Sequence, residues 1–151
     1  MNISSYLYSK KLSNLFGQSK DDVKNKLISQ SETLRLNKVF LEYRDKFKKQ
    51  KECFYSKETF YNYLKFFLNE LEDNILLFYI EGAMDFGALP IDKTKFFEKI
   101  EELININEGI FAVSSQDGKG GILVEINQSD SDLLFYTEIE GKWANERINF
   151  D

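Results

Sequence analysis

The sequence predicts an α+β fold, with N-terminal helices packed on a mostly antiparallel sheet of four to five strands and one helix inserted after the first strand. Three observations carry this. Apolar residues recur at helical spacing through the first half of the chain. Near residue 74 the period changes to short, strand-like apolar runs. The links between the last runs are short and polar, as antiparallel hairpins require. With 151 residues, 42% of them hydrophobic and one proline, the chain fits a single domain, and no Gly/Ser/Pro-rich linker divides it. The helical half covers about residues 1–73 and the α/β half about residues 74–151.

Ser19 followed by Asp22 has the form of an N-terminal cap, and Val23 and Leu27 begin an apolar stripe behind it. From residue 31 to 51, Val39, Phe40, Tyr43 and Phe47 keep helical spacing. Ser56 caps a third helix whose stripe includes Phe60, Tyr63, Leu64, Phe67 and Leu68. "NILLFYI" (74–80) reads as a central strand, and "EGAMDFGALPID" (81–92) as a loop long enough to carry a binding surface. Asp92 caps a helix bearing Phe96, Phe97, Ile100 and Leu103, and Gly109 ends it. Strands follow at residues 110–115, 122–127 and 133–139, with a fourth at 143–150.

"SSQDGKGGILVEI" (114–126) sets three glycines and a lysine before an apolar run. A phosphate-binding loop needs a helix behind it and Ser or Thr after the lysine. Here Lys119 is followed by Gly120, Gly121 and a strand, so the stretch reads as a hairpin turn. Asp85-Phe86-Gly87 matches the letters of the kinase magnesium motif, but the companion motifs are missing and the chain is too short for that fold. It reads as a glycine turn with Phe86 tucked inward.

The chain has no histidine and one cysteine, Cys53. That removes Ser-His-Asp and Cys-His catalysis, histidine zinc sites and any intrachain disulfide. No secretory signal pattern opens the sequence, and its longest apolar run (75–80) is too short to span a bilayer. These features predict a cytoplasmic protein that needs no cofactor and no membrane.

Charge is uneven. Residues 1–75 carry 14 Lys+Arg and 10 Asp+Glu, while residues 76–151 carry 6 and 15. An acidic second half repels nucleic acid and favours a basic protein partner. The basic stretch "YRDKFKKQK" (43–51) reads as a solvated helical face rather than a nucleic-acid contact. "NQSDSDLL" (127–134) brings Asp130 and Asp132 together without the rest of a calcium-loop pattern, and reads as a polar hairpin loop.

Strand alternation supplies the candidate surface. With Ile122, Val124, Phe135 and Ile139 facing the core, Leu123, Glu125, Tyr136 and Glu138 face away. Trp143, just past a Glu-Gly turn, fits either face. Glu125, Tyr136, Glu138 and Trp143, joined by Asp130, Asp132 and Asp85, are the expected partner-binding residues: carboxylates with aromatic anchors.

In size, in its lack of a catalytic histidine, and in the acidic hairpin-rich segment "GGILVEINQSDSDLLFYTEIEGKW" (120–143), the chain resembles the small immunity proteins that bacteria make against their own delivered toxins, as in contact-dependent growth inhibition. The Asn-, Lys- and Ile-rich composition of "KIEELININEG" (99–109) suits an AT-rich bacterial genome. The resemblance implies a non-enzymatic protein that binds and neutralises a cognate toxin, typically a basic nuclease domain. The alternatives are a regulatory adaptor, or a carboxylate-based phosphodiesterase in which Asp85, Asp130 and Asp132 hold Mg²⁺ and Lys119 steadies a phosphate.

Overall fold

The computed structural model describes residues 4–104, 109–129 and 132–145. It is an α+β fold with a six-stranded, wholly antiparallel open sheet in the order β1-β6-β5-β4-β2-β3. The strands are β1 (Gln50–Phe54), β2 (Ile75–Tyr79), β3 (Leu89–Asp92), β4 (Ile110–Ser114), β5 (Gly120–Ser129) and β6 (Asp132–Gly141). The helices are α1 (Ser5–Phe16), α2 (Lys20–Lys26), α3 (Gln30–Arg44), α4 (Lys57–Glu70), α5 (Ala83–Phe86), α6 (Lys93–Glu98), α7 (Ile100–Ile104) and α8 (Lys142–Asn145).

The caps fall where their residue types put them. The Ser19, Ser56 and Asp92 side chains accept backbone N–H bonds from Asp22, Thr59 and Thr94, opening α2, α4 and α6. Three other expectations are corrected. The helix expected through residue 51 stops at Arg44, and residues 50–54 are an edge strand paired with β6. The alternation of Lys49, Lys51 and Cys53 against Gln50, Glu52 and Phe54 is a strand period, which the run of lysines obscures. The loop expected over residues 81–92 contains α5 and β3; Pro90 is tolerated because β3 lies at the sheet edge. The strand expected from residue 143 begins as α8, and residues 146–151 lie outside the described chain.

Helices cover both faces of the sheet. On the inner face α1, α4 and α6 bury an aromatic core: Phe16 and Phe96 meet Phe78, and Phe60 stacks on Phe135 at 4.7 Å between ring centroids. On the outer face lies α3, whose Leu36 packs with Leu77 and Ala88. The expected facing of β5 and β6 is observed, with Ile122, Val124, Phe135 and Ile139 all in the inner core.

The "DGKGG" stretch is the β4–β5 hairpin turn. The Asp117 carboxylate accepts bonds from the Ser115 hydroxyl (2.7 Å) and the Lys119 N–H (3.0 Å). Only Gly118 of the three glycines needs a left-handed backbone (φ +77°). Gly120 and Gly121 are small for another reason: an added Cβ would press on Trp143 and Phe40 respectively.

Gly87 ties the two layers together. Its carbonyl accepts the buried Tyr8 hydroxyl at 2.5 Å, its φ is +106°, and an added Cβ would run into the Ile28 carbonyl. Gly87→Ala combines backbone strain with backbone overlap, and is expected to cost about 2–4 kcal/mol. A thermal melt monitored by circular dichroism checks this; an unchanged midpoint would mean that the 28–33 segment shifts freely away.

Candidate functional site

The expected partner-binding residues do not form one surface. Antiparallel register sets Lys51, Glu138, Leu123, Ala112 and Tyr79 in one row across the outer face, and Cys53, Tyr136, Glu125 and Ile110 in the next. Glu125, Tyr136 and Glu138 therefore share a face, as alternation requires. Glu138, however, is only 9% exposed and its charge is answered: Lys49 Nζ lies 3.7 Å and Lys51 Nζ 3.8 Å from its Oε1. The same Lys49 reaches Glu140 at 3.2 Å. The expectation of an acidic outer face is corrected here, because the basic stretch at 49–51 folds into the neighbouring strand and neutralises it. Both pairs have i, i+2 spacing, Lys49/Lys51 and Glu138/Glu140, and that shared period is the one signal of the match in the sequence.

Glu140, 7% exposed, is the less settled member. Burial raises its pKa, and its hydrogen bond with the neighbouring Glu138 carboxyl raises it further, against the lowering effect of Lys49. The folded state thus holds the Glu140 proton more tightly than the unfolded chain does. This group's contribution to stability is greatest below the ordinary glutamate pKa of 4.5 and declines as pH rises through the raised folded value. Glu140→Gln is expected to remove that decline, so the variant gains stability relative to the wild type between mildly acidic pH and pH 7. Urea titrations of both proteins across that range test it; a stability difference that does not vary with pH would refute it.

Trp143 lies elsewhere. It is 2% exposed and packs edge-on against Phe67 at 6.0 Å, so it is no exposed anchor. The two rings instead help line a cleft of about 360 Å³ at one end of the sheet, where the end of α4, the β4–β5 turn and α8 meet. Glu70, Glu72, Asp73 and Asp117 line the same cleft together with a single cation, Lys142, a net charge of −3. Glu70 and Glu72 are exposed and Asp73 half-buried. Among the described residues none of these three has a salt bridge within 4 Å. Hydrogen bonds from Ser115 and Lys119, with the nearby Lys119 and Lys142 charges, hold the Asp117 pKa below its usual value although burial opposes them. The end of α4 adds no call for a cation of its own, because Lys93 Nζ already donates to the Leu68 and Leu71 carbonyls at 2.9 and 3.0 Å.

Compared with known families, curated proteins and solved structures, the chain matches none. Asp85 is exposed on α5, which joins β2 to β3, and two strands separate β2 from β6. Asp132 pairs with Ser129 at the far tip of the β5–β6 hairpin, and Asp130 lies outside the described residues. Asp85 and Asp132 are not brought together, and no group of three potential metal ligands occurs among the described residues. Lys119, assigned to a phosphate in the enzymatic alternative, lies over the Tyr43 ring at 5.3 Å. No helix among the described residues is long and apolar enough to cross a membrane.

Sequence reasoning missed Glu70, Glu72, Asp73 and Asp117 as a group. "NELEDN" (69–74) is visibly acidic, but nothing local ties it to Asp117, more than forty residues on.

Proposed function

We propose that the chain is a non-catalytic binding protein of the toxin-immunity kind, which neutralises a basic toxin domain through the acidic cleft at the end of its sheet. One observation carries this reading: four carboxylates around an aromatic-lined cleft, with one lysine to offset them. A lysine or arginine of the partner suits such a cleft. Its methylene stem packs toward Phe67 and Trp143, and its head donates charge-assisted bonds to the Glu72 and Asp73 carboxylates. Carboxylates in these positions mimic the phosphates that a nuclease domain binds, without offering it a bond to cut. The absence of histidine and the lone Cys53 agree with a protein that occludes rather than reacts.

The test is a tagged capture from the native host at low and at high salt, with bound proteins identified by mass spectrometry. The captured protein is then expressed in a naive host with and without this chain. The reading expects one near-stoichiometric basic partner, released by salt, that arrests growth alone and not in company. A neutral or acidic partner, salt-insensitive capture, a harmless partner, or no partner at all would each overturn it.

A further inference from the structure

The end of the molecule away from the acidic cleft carries the opposite charge. Tyr6 and Leu7, at the start of α1, are each 52% exposed. Lys20, the first residue of α2, lies over the Tyr6 ring at 4.2 Å. Lys10 stands one turn on from Tyr6 along α1, and Lys24 one turn on from Lys20 along α2. A hydrogen bond with Lys20, then the Lys20 and Lys10 charges, hold the Tyr6 pKa below its usual value, so both cations lie on the side of the phenol. All three lysines are exposed, and among the described residues none has a salt bridge within 4 Å. Asp21 and Asp22 lie close by in the first turn of α2, but helical spacing turns them away from the flank that Lys20 and Lys24 share.

The fold holds this patch and the cleft apart. Glu72 and Asp73 of the cleft lead into the start of β2. Past the other end of β2 comes Gly87, whose carbonyl accepts the hydroxyl of Tyr8, next to Leu7. The five residues of β2, roughly 17 Å, lie between the two, and one molecule cannot close its patch on its own cleft. A second copy can. Its lysines match Glu70, Glu72 and Asp73, which likewise have no salt bridge among the described residues. Its Tyr6 and Leu7 offer apolar cover to a cleft lined by Phe67 and Trp143.

We propose that copies of this chain associate head to tail, the α1–α2 patch of one, with Lys10, Lys20 and Lys24, seated on the acidic cleft of the next. The contact is heterologous, so each pair keeps one free patch and one free cleft. The net charge of −5 opposes association, so the contact is weak and shows at high protein concentration. It covers the surface proposed above for the basic toxin domain, and on that reading the toxin displaces the second copy.

Sedimentation equilibrium of the full chain, from micromolar to millimolar and at low and high salt, tests this. The wild type is expected to gain mass with concentration at low salt and to stay close to a monomer at high salt. Lys10→Glu with Lys20→Glu on the patch, and Glu72→Lys with Asp73→Lys on the cleft, are each expected to weaken self-association at least about 10-fold. Mixing the two variants unites an intact cleft with an intact patch and is expected to restore it. A monomeric wild type, association indifferent to salt or to either double change, or a mixture no heavier than its components would overturn the proposal. The wild-type salt dependence decides even if one variant folds poorly. Only this chain is present, so a monomeric result leaves the toxin reading standing, and failure to capture a toxin leaves the contact between copies standing.

Discussion

Reversing the acidic cleft with Glu72→Lys and Asp73→Lys together is expected to weaken capture of the basic partner by roughly 100-fold or more, because like charges across an interface cost several kcal/mol and about 1.4 kcal/mol is tenfold in affinity. Glu72 is exposed and Asp73 half-buried, just beyond the end of α4, and neither has a salt bridge among the described residues. The double change should therefore leave the fold intact, which circular dichroism would check. Glu125→Gln, a carboxylate on the other surface, serves as the control and is expected to leave affinity within about 3-fold, as scattered surface changes do. Titration calorimetry at two salt concentrations separates the outcomes. If the control loses affinity and the cleft variant does not, the outer face is the interface and the cleft assignment is wrong.

Phe78→Ala is expected to remove about 3–5 kcal/mol of stability, a large share of the roughly 5–15 kcal/mol typical of a single domain. Phe78 is fully buried on β2, and its ring meets three others: Phe16 of α1 at 5.2 Å, Phe111 of β4 at 5.9 Å and Phe96 of α6 at 6.3 Å. Truncation takes away transfer free energy and leaves a cavity that four separate elements would have to move to fill. Phe78→Leu retains most of the volume and should cost under about 1.5 kcal/mol if its neighbours repack. Equilibrium denaturation in guanidinium measures both. A loss below about 1 kcal/mol for the alanine variant would mean that this core closes over the gap.

The aromatic cluster also explains why so much of the fold was legible. Phe60, Tyr63, Leu64, Phe67 and Leu68 recur at helical spacing and all are buried in α4. Ile122 and Val124 alternate with Leu123 as a half-buried strand must, and their inward facing holds. Ser19, Ser56 and Asp92 announce helix starts because a side-chain oxygen can satisfy a nearby N–H with no help from distant chain. The short edge strands β1 and β3 were not legible. Each is four or five residues long, one preceded by a run of lysines and one containing Pro90, and pairing with a distant partner makes them strands.

The candidate site follows the same division. By itself the sequence determined the α+β class, the inward faces of the hairpin strands, the turn at Asp117–Gly121, and the removal of histidine chemistry, since each rests on local period, local hydrogen bonding or plain composition. Only the tertiary structure decided which charges remain free. It placed Lys49 and Lys51 beside Glu138 and Glu140, cancelling the acidity expected on the outer face. It buried Trp143 and set it in a cleft with Glu70, Glu72, Asp73 and Asp117. Charge is counted along a chain but acts through space, over a few ångströms set by strand order, and strand order is written in contacts between residues tens of positions apart.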